Sequence, residues 1–159
     1  MTLYDSIFEL FLDKIVEDTD FFMYDLPQDQ AESIINKRCN SFLDYAVKEL
    51  KNTCKADVDF SDRDNTLQQF NFYLTDVEQG LIVDLMFYDY LNRDIAKLKV
   101  LKNYFTSKDL KSWSPANERN SFTAMLKDMR KQITKDIKEY ESRDRLTGKY
   151  KLLDFSQQQ

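Results

Sequence analysis

Thr75–Phe105, TDVEQGLIVDLMFYDYLNRDIAKLKVLKNYF, is the most apolar stretch of the chain and reads as one long helix. Thr75 and Glu78 have the spacing of a capping box, in which a hydroxyl accepts from the N–H three residues on and the carboxylate reaches back. That sets the helix start. Behind it Val77, Leu81, Ile82, Leu85, Met86, Tyr88, Leu91, Ile95, Leu98 and Leu101 recur at three- and four-residue steps. The apolar face they form is wide enough for more than one packing partner.

Three other amphipathic helices flank this stretch. Thr2 is placed to cap the first, with Tyr4, Ile7, Phe8, Phe11 and Ile15 on one side and an end near Glu17. Thr19–Pro27, TDFFMYDLP, reads as an apolar loop that either packs down as a plug or meets another chain. Pro27 opens the second helix, whose apolar series from Ala31 through Ile34, Ile35, Cys39, Phe42, Leu43, Ala46 and Val47 to Leu50 carries it to about Cys54. Phe70, Phe72 and Leu74 alternate with other residues and suggest a short strand or extended plug before the central helix. The last helix opens at Ser114–Pro115, and Phe122, Met125, Leu126, Met129, Ile133, Ile137 and Tyr140 give a near-heptad seam. A short connection predicts that it packs antiparallel to the central helix. Gly148 marks the expected end of regular helix.

Only two glycines and two prolines occur in 159 residues, which disfavours a many-turned sandwich or a glycine-turned Rossmann sheet. The expected fold is all-α: about four main helices in a bundle with a long central antiparallel pair. Residues 1–146 form the helical domain and 147–159 an extended C-terminal arm. In that arm Tyr150, Leu152, Leu153 and Phe155 are spaced to anchor on a neighbour, or else to fold back on the bundle. No stretch approaches the roughly 20 apolar residues of a membrane span, and the acidic N-terminus is unlike a signal peptide. A soluble protein made in the cytoplasm is expected.

Charge is unevenly placed. Met1–Asp76 has 16 acids and 7 bases, a net of −9, whereas Val77–Gln159 has 12 acids and 16 bases, a net of +4. Asp5, Glu9, Asp13 and Glu17 begin the acidic part, which is either a solvated face or a surface that stays near DNA without adhering. The bases after Glu118 alternate with acids, net only +2 up to Arg145, and leave no strong phosphate-binding stripe.

The chemistry-bearing patterns are few. There is no His, the commonest acid/base at neutral pH and the usual partner of a Ser or Cys nucleophile. No glycine-rich turn precedes a helix, so neither a P-loop nor a dinucleotide fingerprint exists. Asp57, Asp59, Asp62 and Asp64 crowd one loop, but a calcium loop starting at Asp57 needs Gly and Glu where Asp62 and Gln68 stand. Cys39 and Cys54 have no partners for a metal set and are expected as reduced thiols. The expectation is a non-enzyme with no cofactor and no metal; a carboxylate-dependent metalloenzyme is the minor rival.

Lys102–Gln132, with Tyr104, Phe105, Ser107, Asp109, Trp113, Ser114, Pro115, Ala116 and Asn117 followed by a helix bearing Met125, Leu126 and Met129, resembles the second half of small helical neck proteins of tailed bacteriophages. These are head–tail connector or adaptor subunits, and the likeness covers about a third of the chain. It implies a structural virion protein repeated in a ring, a dodecamer in that family. It also implies contacts with the portal and with a tail or tail-completion protein, and non-specific passage of DNA. On this reading Tyr150, Leu152, Leu153 and Phe155, with Phe21, Phe22 and Tyr24, contact partners, and Asp5, Glu9, Asp13 and Glu17 are the candidate lumen face. The alternative is an acidic helical regulator in the cytoplasm that binds a basic partner.

Overall fold

The computed structural model describes residues 1–22, 25–104 and 115–151, and the backbone alone for 19–20, 94–104 and 115–119. The chain is mainly helical. In order, its elements are β1 (Thr2–Leu3), α1 (Tyr4–Lys14), α2 (Thr19–Phe22), α3 (Gln28–Thr53), β2 (Arg63–Asp64), β3 (Gln69–Phe70), α4 (Asp76–Tyr104) and α5 (Pro115–Ser142).

α4 starts where the capping box requires. The Thr75 N–H donates to Glu78 Oε2 at 2.7 Å and the Glu78 N–H to Thr75 Oγ1 at 3.3 Å. Leu81, Ile82, Leu85 and Met86 are buried, whereas Val77, expected on the same face, is 59% exposed. Helices α1, α3 and α5 each pack against α4. Each fully buried Leu, Ile or Phe contributes about 1.5–3 kcal/mol, so this shared core outweighs any single cap of about 1 kcal/mol.

One dense part of the core is aromatic. Phe11, Phe21, Phe42 and Tyr90, from α1, α2, α3 and α4, bring all six of their ring pairs within 5.4–6.3 Å between centroids. Tilted and edge-on pairs at such spacings match ring quadrupoles and add to the area term. α2 lies within the stretch expected as a loop: the Phe21 N–H donates to Asp18 Oδ1, and one helical turn brings Phe21 inward.

The all-α expectation is corrected by a small antiparallel sheet in the order β1-β3-β2, with Thr2 opposite Phe70 and Arg63 opposite Phe70. Thr2 does not cap α1. Its hydroxyl accepts from the Leu74 N–H at 2.8 Å, and α1 begins at Tyr4 without a side-chain cap. α1 ends at Lys14, before the Glu17 expected from sequence. The turn before β3 is closed by Asp64 Oδ1, which accepts from the Thr66 and Leu67 N–H groups, and Gln68 takes a positive φ of 52°. Phe70 of β3 and Leu74 beyond it are buried.

α5 ends at Ser142, before Gly148, and the following chain reverses. Gly148 takes φ 67°, its N–H donates to the Asp144 carbonyl, and Arg143 pairs with Tyr150 in an antiparallel bridge. Up to Lys151 this segment is folded back, with Lys151 Nζ 2.9 Å from Asp57 Oδ1. Among the described residues no helix is long and apolar enough to cross a membrane.

Candidate functional site

The most buried charge in the described structure is Glu78, at 0% exposure. Its carboxylate accepts from the Thr75 N–H, from Tyr140 Oη at 2.6 Å, and from Arg145 Nε at 2.6 Å and Nη2 at 3.1 Å. The Arg145 guanidinium also donates to the Tyr73 carbonyl and lies 5.5 Å from the Phe72 ring centroid. A carboxylate so far from water is tolerated only when its charge is matched and its lone pairs are filled. Burial, then the hydrogen bond to Glu78, pushes the Tyr140 phenol well above its ordinary range. The hydrogen bond to Glu78 holds Arg145 more firmly protonated still. Four donors fill the two oxygens of the buried Glu78 carboxylate, and the set is an ionic joint between α4, α5 and the chain beyond α5.

The surface shows a different pattern. Asp5, Glu9 and Asp13 are exposed, stand at four-residue steps on α1, and make no ion pair among the described residues; Glu17 is exposed in the turn beyond. On α5, Lys127, Lys131 and Lys135 are exposed at the same steps, with Lys138 three residues further. Of these lysines only Lys131 has an ion pair among the described residues, a solvent-facing contact with Asp128 at 2.9 Å. The sequence hid this stripe, because acids and bases that alternate along the chain separate around a helix with 3.6 residues per turn. Beside it, Tyr88, Leu126, Lys127, Arg130 and Lys131 line an open groove of about 630 Å³ between α4 and α5. Arg130 is held there by Glu49 of α3 and by the face of Tyr88, 5.5 Å away.

Comparison with protein-family models, curated proteins and solved structures finds no match.

The residues expected to meet partners divide. Phe21 is buried in the aromatic quartet, with Arg38 donating to its carbonyl at 2.8 Å, so it is a plug and has no surface to offer. Phe22 is half-buried against Phe21 at 5.7 Å. Tyr150 is exposed, with the Arg143 guanidinium 4.3 Å from its ring centroid. Tyr24, Leu152, Leu153 and Phe155 lie outside the described residues, as do Phe105, Ser107, Asp109, Trp113 and Ser114 and the side chains of Tyr104, Pro115, Ala116 and Asn117, which carry the family resemblance.

The aspartate loop is occupied with its own turns. Asp59 Oδ1 accepts from the Ser61 N–H and hydroxyl, which lowers its pKa, Asp62 Oδ1 accepts from Asn71, and Asp57 faces Lys151. Among the described residues no group of three or more His, Cys, Asp or Glu is placed to hold a metal ion. Cys39 and Cys54 are both free thiols; burial pushes them up to about 12 and about 11. Thiols held so far into the protonated range are poor nucleophiles at neutral pH.

Proposed function

We propose that this chain is a structural subunit of a tailed-bacteriophage neck, a helical-bundle connector that repeats as a ring, joins the portal to the tail and leaves a channel for DNA. The observation that carries the proposal is the pair of oppositely charged, exposed stripes on two outer helices, α1 and α5. A subunit built to repeat in a closed ring needs two different surfaces that fit one another. The resemblance of Lys102–Gln132 to connector subunits supplies the biological setting. In it the chain is non-catalytic, binds no cofactor, and works by interlocking with copies of itself, with the portal and with a tail protein. The apolar residues of 152–159 are the proposed portal or tail contact.

The test is capture on purified portal rings, with the intact chain and with a chain stopped after Lys151. That truncation leaves the folded-back turn and its Lys151–Asp57 contact in place. Binding by the intact chain that is lost on truncation supports the proposal. An intact chain that ignores portal overturns it and favours the regulator reading.

A further inference from the structure

We infer that the acidic stripe of α1 docks on the basic stripe and groove of α5 in a second copy of this chain. The inference rests on the repeating-subunit reading but not on what the assembly joins. Asp5, Glu9 and Asp13 span two steps of four residues, as do Lys127, Lys131 and Lys135, so each row is about 12 Å long at 1.5 Å per residue. Two helices laid alongside therefore match three acids to three bases without adjustment. Within one chain no ion pair joins these two sets, and α1 and α5 contact α4 with different residues. Lys14 of α1 reaches Asp84, while Arg130 of α5 lies over Tyr88.

Exposed ion pairs are individually weak and screened by salt, so charge alone does not hold such a contact. Apolar surface is available on both sides. Leu10 on α1 and Leu3, in β1 just before the helix, are 45% and 54% exposed. The groove beside Lys127 and Lys131 presents the half-buried Tyr88, with Leu126, 5% exposed, at its floor. In the docked pair the two leucines enter the groove and the carboxylates meet the lysines along its rim. The contact uses different surfaces on the two copies, so each copy keeps one stripe open for the next, the arrangement that generates a ring or a filament. It places the α1 acids between subunits instead of on the channel wall. DNA is the weaker occupant for the lysines. The stripe has no exposed aromatic interleaved for stacking, and the chain nets −5.

The experiment is the mass of the purified full chain in solution at about 0.05 M and about 0.5 M salt. Two charge-reversed variants accompany it: Asp5→Lys/Glu9→Lys/Asp13→Lys and Lys127→Glu/Lys131→Glu/Lys135→Glu. The wild type is expected to assemble at low salt, with association at least about tenfold weaker at high salt. Each variant alone is expected to stay monomeric, and an equimolar mixture of the two to assemble again. A wild type that is monomeric throughout overturns the inference. So does a variant that assembles like the wild type, a mixture that does not recover, or a lysine stripe that holds duplex DNA while its reversal leaves assembly unchanged. If a triple variant loses its helical circular dichroism, the single changes Glu9→Lys and Lys131→Glu replace it with the same readout. Portal capture separates the two failures: stripe-dependent assembly that ignores portal overturns only the neck reading, and portal binding that survives both reversals overturns only this contact.

Discussion

Tyr140 Oη donates to Glu78 Oε1 across 2.6 Å, joining the last turn of α5 to the first turn of α4. The same carboxylate oxygen accepts from Arg145 Nε, so one buried charge ties together the capping box, the end of α5 and the chain reversal beyond it. Around it Phe60, Phe72 and Tyr140 are close-packed, with Phe60 6.4 Å from both other rings. The joint is where the non-helical parts of the chain are fastened to the helices.

Removing one member of such a joint strands the others. Glu78→Ala leaves Arg145 and Tyr140 without their acceptor, and breaking a buried ion pair in this way costs about 3–5 kcal/mol. The urea midpoint of unfolding measures it. Glu78→Leu combined with Arg145→Met and Tyr140→Phe is expected to recover most of the loss, because apolar replacement of a whole buried ionic set is often neutral. A midpoint unchanged in Glu78→Ala contradicts the burial of this charge.

Tyr140 gives the joint a pH signature on the alkaline side. Its phenol is pushed up by burial and by Glu78, so the folded chain keeps the proton at a pH where the unfolded chain has released it. The stability this contributes is full below about pH 10, the ordinary phenol pKa, and declines as pH rises above it. Tyr140→Phe removes that titration and a charged hydrogen bond of about 1.5–3 kcal/mol. The variant is expected to be less stable at pH 7 and to lose less stability between pH 9 and about 11 than the wild type.

Phe21 distinguishes a plug from a partner contact. It sits at 5% exposure within 6.1 Å of Phe11 and 6.0 Å of Tyr90. Phe21→Ala is therefore expected to cost about 3–5 kcal/mol of stability, as a large-to-small change in a close-packed site does. Thermal unfolding checks this, and loss of assembly without loss of stability would return Phe21 to the surface.

How much of this was legible depended on sequence distance. The capping box lies within four residues, and both of its hydrogen bonds appear where Thr75 and Glu78 predict. The burial of Glu78 did not announce itself, since its partners Tyr140 and Arg145 are 62 and 67 positions away. Alternation at Phe70, Phe72 and Leu74 suggested the strand that becomes β3, but its partners went unread because β1 and β2 are two residues long and Thr2 looks like a helix cap in isolation. The apolar series of α1 and α3 placed Ile7, Phe11, Phe42 and Leu43 in the core because period and burial agree there. Charge was the opposite case. Counting acids and bases along residues 118–145 cancelled what helical geometry separates.

The two thiols test the packing of the middle and the C-terminal end of α3. Cys39 is fully buried in mid-helix, and burial holds it near 12. Cys54 is half-buried at the helix end, where burial is the main cause of its rise to about 11 and Glu141 adds to it. A folded-state value about two units above the ordinary thiol leaves about a hundredfold less thiolate, the species that reacts. Alkylation of the native chain at pH 8 is therefore expected to be about a hundredfold slower at Cys54 than in the denatured chain, and slower again at Cys39. Peptide mass mapping over time reads both sites. Loosening the nearby reversal with Asp57→Ala, which removes the contact to Lys151 and a carboxylate that raises the Cys54 thiol, is expected to speed Cys54 and leave Cys39 unchanged. Equal acceleration at both sites would mean that the reversal is coupled to the whole core and does not open by itself.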